Sequence, residues 1–186
     1  GRQVMAALSD PDEHIRGWGI QIAVANEGTI PRFIEMAKSE ESLVVRRYLA
    51  SKLQTLPLDQ RLEIARGLIG HNRSQWDRNI PYLAWYGIAP LVESNPKEAL
   101  TLVHQTSWPM LKDVITRRAA VFPEGRTAVT FSLSIAGNPK QFVDQANQLL
   151  TALSSLPPVE TPETWEKAKA TCKSFGQNPP VADVLS

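Results

Sequence analysis

A chain of 186 residues is long enough to bury a sizeable core, as one domain or as part of a larger array. Its 20 Lys and Arg balance 19 Asp and Glu, which excludes a bulk electrostatic pull toward nucleic acid or an anionic membrane and leaves only local patches. The single cysteine, Cys172, excludes an internal disulfide framework and any metal site built on paired cysteines, and no apolar run reaches the roughly 18–20 residues needed to span a bilayer.

The chain opens at Gly1 without a charged-then-apolar leader, which leads to the expectation of a segment of a longer polypeptide or a processed product. The first helix start is "SDPDE", with Asp10 as N-cap, Pro11 at the first helical position and Glu13 at the third. "LDQRLEIARGLIG" then sets Leu58, Leu62, Ala65, Leu68 and Ile69 on one helical stripe. "SNPKE" repeats the start with Asn95, Pro96 and Glu98. The β-branched stretch "RTAVTFSLSIAG" (126–137) is expected to be helical, because a lone strand would have nothing to pair with. "GNPKQ" supplies Asn138, Pro139 and Gln141, ahead of a stripe of Phe142, Ala146, Leu149, Leu150 and Leu153. "ETPET" offers Thr161 and Pro162. Two proline-rich joints, "SLPPVETP" and "QNPPVADVL", close the chain.

Internal repetition decides the fold class. "DPDEHIRGWGIQIA" lies over "EESLVVRRYLASKL" at an offset of 30, so that Ile15-Arg16 meets Val45-Arg46 and Trp18 meets Tyr48. Weaker copies follow at Ile80-Pro81 and Leu111-Lys112, offsets of 35 and 31. A helical unit recurring at this period implies stacked helix pairs.

The arrangement of an acidic residue, then Val or Ile, Arg, an aromatic or small residue and Ala resembles the HEAT repeat. The resemblance implies an all-α, right-handed α-α superhelix, a HEAT/ARM-like solenoid of about four to five helix pairs. It sets pairs at about 2–8 with 12–25, 29–38 with 42–54, 58–70 with 79–94 and 96–106 with 109–121. Terminal helices are expected over 126–136, 139–154 and 162–174, which gives HEAT-like repeats over 1–121 and a capping region over 122–186. Matched to the family's motif, Asp10 with Arg16 and Glu40 with Arg46 correspond to an acidic-to-arginine ladder between repeats. In the third copy Pro81 stands where the arginine belongs.

"LSDPDEHIRGWGIQIAV", "RNIPYLAWYGIAPLVESNPKEALTLV" and "LKDVITRR" are similar to the helical-repeat region of large exported multidomain proteins of planctomycetes and related bacteria. Those proteins join a sugar-dehydrogenase-like propeller, a HEAT segment and a c-type cytochrome domain. The resemblance implies a periplasmic or exported location, which the residues themselves leave open, and redox parts outside this chain. A c-type haem needs C-x-x-C-H, and Cys172 stands alone in "TCKSF".

Within the chain no catalytic, cofactor or metal constellation emerges. His14, His71 and His104 are scattered and lie near no cysteine, and "GWG" lacks the spacing of a phosphate loop. Trp18 occupies the repeat's packing position and is expected in the core. Arg46 and Arg47 offer either a structural fork or an anion patch; Arg46 is expected to hold the ladder and Arg47 to lie on a solvated face. Tyr82, Trp85 and Tyr86 lie three and four residues apart on one helix face, as packing between repeats or, where exposed, as a recognition patch. Trp76, in a polar linker, could fold over a neighbouring helix or touch another domain.

Three function classes follow. The leading one is a non-catalytic scaffold whose partners are other domains of the same polypeptide or a partner protein. The second is a stand-alone adaptor for a protein or peptide. The third, a nucleic-acid-acting HEAT-like protein, is disfavoured by the mixed signs along residues 32–78.

Overall fold

The computed structural model describes residues 2–71, 77–154 and 162–175, and every regular element among them is helical. In chain order these are α1 (Arg2–Ala7), α2 (Glu13–Ile22), α3 (Thr29–Ser39), α4 (Leu43–Lys52), α5 (Leu58–Ile69), α6 (Ile80–Ser94), α7 (Pro96–Gln105), α8 (Pro109–Ala120), α9 (Pro123–Ser134), α10 (Pro139–Leu153) and α11 (Trp165–Ser174). A 3-10 turn, Leu53–Thr55, follows α4. The all-α class holds: helices pack against near neighbours in the chain, a solenoid-like arrangement. The β-branched stretch after Arg126 forms most of α9. No helix among the described residues is long and apolar enough to cross a membrane.

The starts follow the polar residues ahead of each stripe. Asn95 accepts the Glu98 amide at 3.3 Å and donates to its carboxylate at 2.8 Å, and Asn138 accepts the Gln141 amide at 2.9 Å. The first start is corrected. Asp10 accepts the Asp12 amide at 2.9 Å and so shapes the turn before the helix, while Asp12 is the N-cap, taking the amides of His14 and Ile15. Pro11 therefore precedes the helix. α11 begins at Trp165, three residues later than expected. Thr161, Trp76 and both proline-rich joints lie largely or wholly outside the described residues.

The chain divides into two compact units, Gly1–Leu91 with His104–Leu111, and Val92–Val103 with Lys112–Ser186. In the first, α3 packs on α5 and α2 on α4, around Ile20, Phe33, Val45, Leu49, Ile64 and Leu68, all fully buried. Its polar cross-links keep the period seen in the sequence. Glu13 meets the Ser42 hydroxyl 29 residues on, Arg47 meets Asp77 and His71 meets Glu41 at 30, and Lys52 meets the Gln21 carbonyl at 31.

In the second unit, α9 packs on α10 and α11. Phe142 meets Phe175 edge-on at 6.0 Å, and the Thr171 hydroxyl donates to the Ser134 carbonyl at 2.7 Å. Arg126, 8% exposed, gives Nη1 to the carbonyls of Ala120 and Val121, the open end of α8.

Candidate interaction surface

The buried arginine of the second repeat copy is structural. Arg46 is 0% exposed and donates Nη1 to the carbonyls of Ala37 (3.0 Å) and Glu40 (2.9 Å), and Nη2 to those of Gly67 (3.2 Å) and Leu68 (3.0 Å). It thus fastens the C-terminal ends of α3 and α5 from α4. Burial brings its pKa down to about 10, against the pull of Glu40 and Glu41, so it stays charged at neutral pH. Arg16 forks onto Glu40, Nε to Oε2 at 2.9 Å and Nη2 to Oε1 at 3.0 Å, and gives Nη1 to the carbonyls of Asp10 and Pro11. Asp10 meets Arg16 through its backbone, its carboxylate being engaged with Asp12. Arg61 repeats the device on the carbonyls of Gln54 and Leu56, and reaches the Gly87 carbonyl at 2.8 Å. Arg46 takes carbonyls that the last turns of α3 and α5 leave open, while Arg16 and Arg61 take carbonyls of the turns just before their own helices and Arg61 also one within α6.

Those fastenings position three helices that run in the same direction. Gly17 of α2 lies under the Tyr48 ring of α4, where a Cβ would stand 2.6 Å from the ring edge, and Gly87 of α6 lies against Leu53, where a Cβ would stand 2.4 Å from the Leu53 Cβ. α4 therefore sits between α2 and α6. Arg47 links α4 to the start of α6 through Asp77 at 2.5 Å, while the other Asp77 oxygen takes the amides of Asn79 and Ile80. Burial pushes the Asp77 carboxyl up, but the Arg47 bond and the two amides outweigh it and hold the group below the usual aspartate range. Arg47 is thus half exposed, on a solvated face as expected, and is paired there with Asp77.

Residues two apart in a helix point to opposite sides. Trp18 lies opposite Ile20, and Tyr82 and Tyr86 lie opposite Ala84 and Ile88, which are buried. The outcome is a face carrying Ile15 (45% exposed), Trp18 (61%) and Ile22 (61%) on α2, and Tyr82 (53%) and Tyr86 (58%) on α6, with Trp85 half-buried beside the tyrosines. The expectation that Trp18 packs in the core is overturned. Gly17 faces α4 and Gly19 faces α1, so the close contacts of α2 are made by its two glycines and the indole between them turns outward. That was readable in "GWG": small residues mark the packed sides of a helix, and a large residue between them faces away from both.

Comparison with protein-family models, curated proteins and solved structures finds no match.

Other chemistry is sparse. Among the described residues no three His, Cys, Asp or Glu side chains are grouped to hold a metal ion. His14 is exposed beside Glu13 at 3.9 Å, and His71 lies 3.4 Å from Glu41. Cys172 is buried on α11, and that burial pushes its thiol up, which disfavours the reactive thiolate. The second unit has an open cleft of about 590 Å³ between α7, α9 and α11, with Lys97, Lys167, Glu124 and Glu163 at its rim and Phe131 in its wall. Its charged groups are exposed and of both signs, so they select no ligand.

Proposed function

We propose that this chain is a non-catalytic HEAT-type scaffold and interaction module that holds another domain of its own polypeptide, or a partner protein, on the face formed by α2, α4 and α6. One observation carries the reading: five large apolar side chains, Ile15, Trp18, Ile22, Tyr82 and Tyr86, are 45–61% exposed on one side of three helices whose relative positions are fixed by buried contacts. Exposed apolar groups gathered on a rigid face are a mark of protein contact, with Trp and Tyr the residues that most often dominate binding. The HEAT assignment is supported by the repeat near 30 residues and by the cross-links at 29–31. The likeness to helical segments of exported redox proteins favours a neighbouring domain as the occupant, and a free-standing adaptor is the second reading.

A photo-crosslinking amino acid placed at position 18 or 86 of the full-length protein in its native cells tests this. Adducts at both positions, and far fewer at Glu35 on α3, support the module. Adducts within the same polypeptide identify a spacer, and adducts to another protein identify an adaptor. Yields at 18 and 86 no higher than at 35 overturn it.

A further inference from the structure

We infer that the occupant of the α2–α4–α6 face is an extended acidic segment with apolar side chains spaced about six residues apart. The inference rests on the interaction reading above and adds the chemistry of the partner. Its basis is the charge on that face. From His14 through Val92, the residues of α2, α4 and α6 include no carboxylate. Glu13 stands at the tip of α2 and is taken by the Ser42 hydroxyl, and Asp77 is 8% exposed beneath Arg47. Against these two anions, Glu13 with its side chain 44% exposed and the buried Asp77, stand Arg47, Lys52 and the exposed Arg78.

Of the five N–H donors of Arg47, one is engaged by Asp77, and the rest have no partner among the described residues. Lys52 gives one bond to the Gln21 carbonyl at 3.3 Å, and burial lowers its pKa, so a carboxylate placed beside it would be held in a partly desolvated position. Arg47 and Lys52 lie on α4, between α2 and α6, and Arg78 stands just ahead of α6.

Spacing sets the form of the partner. Packed helices stand about 8–10 Å apart, so anchors on α2 and α6, with α4 between them, are separated by about 20 Å. An extended chain advances about 3.3 Å per residue and covers that distance in about six. An apolar residue would seat against Trp18, Ile15 and Ile22, and another against Tyr82 and Tyr86. Carboxylates between them would meet Arg47 and Lys52. Single-stranded nucleic acid also uses aromatic rings and cations, but it needs a continuous basic track for its phosphates, and it has no use for Ile15 and Ile22 beside the indole.

Random twelve-residue peptides displayed on phage, selected on the full chain and counter-selected on Trp18→Ala/Tyr82→Ala, test the chemistry. The expected outcome is that peptides lost with the double variant are enriched in Asp and Glu between two apolar positions. Synthetic copies should bind about tenfold more weakly to Lys52→Glu or Arg78→Glu and should weaken with added salt. Neutral or basic peptides with the same Trp18 dependence would overturn the acidic partner and leave the interaction module standing. Displacement of the peptides by a twenty-nucleotide oligo-dT at similar concentration would assign the face to nucleic acid and overturn the inference. The absence of any peptide dependent on Trp18 would overturn it as well, and with crosslinks at control level the module falls too. Circular dichroism of each variant confirms the fold.

Discussion

Arg16 holds the carboxylate of Glu40, 24 residues away, through two parallel bonds of 2.9 and 3.0 Å, and the same carboxylate takes the Ser42 amide at 2.9 Å. Burial pushes the Glu40 acid up, yet the Arg16 fork and the Ser42 amide prevail, and the group sits below its ordinary 4.5. For an acid whose folded pKa is depressed, the stabilisation is fully present above the unfolded value and is lost as pH falls through the folded one. Asp77 acts in the same sense below its ordinary 3.8. Stability in urea should therefore be level above about pH 5 and fall at lower pH. Glu40→Gln should remove about 1–3 kcal/mol at pH 7 and flatten that acid limb. An acid limb as steep as in the unmodified protein would refute the linkage.

Arg46 supplies a larger effect. Arg46→Met places an apolar chain among four carbonyls that lose their donors, and the expected cost is about 3–5 kcal/mol in chemical denaturation. Arg46→Lys keeps the charge but cannot fork to two helix ends at once, and should recover only part of the loss. Near-complete recovery by lysine would show that charge, and not the planar fork, does the fastening.

Gly125 gives a steric test. A Cβ there would lie 1.9 Å from the Ala119 carbonyl oxygen, a backbone atom that cannot swing aside, whereas at Gly137 the nearest atom would be 4.0 Å away. Gly125→Ala should cost about 3 kcal/mol. Gly137→Ala should be neutral or stabilise by up to about 1 kcal/mol, through a less flexible unfolded chain. Equal melting temperatures for the two variants would contradict the close approach of α9 to α8.

Trp18→Ala and Tyr86→Ala remove side chains that are 61% and 58% exposed. Each should change stability by no more than about 0.5 kcal/mol. A core tryptophan would cost about 3–5 kcal/mol on truncation, so a single melting curve separates the two placements.

Much of the fold was legible because helix starts are written in side chains. Asn95 and Asn138, each followed by proline, announced α7 and α10, and the 30-residue echo between Arg16 and Arg46 announced the repeat. The partners of Arg46 were hidden, because carbonyl oxygens have no letter in a sequence, and an arginine just past a turn meets them as readily as it meets a carboxylate. Trp18 was misplaced by aligning it with Tyr48. The residues before them, Gly17 and Arg47, differ in a way that turns the two aromatic rings differently: the Tyr48 ring leans onto Gly17, and Trp18 has no such seat. Asp77 went unnoticed inside a polar stretch, where only a folded chain shows it buried under Arg47.

An arginine that grips main-chain oxygens makes little demand on which side chains those residues carry. Side chains at the tips of α3 and α5 are free to drift, or to be rewritten by an engineer, while Arg46 goes on clasping the same four oxygens. The joint behaves as a generic coupling, transferable to any pair of helix ends brought to the same spacing.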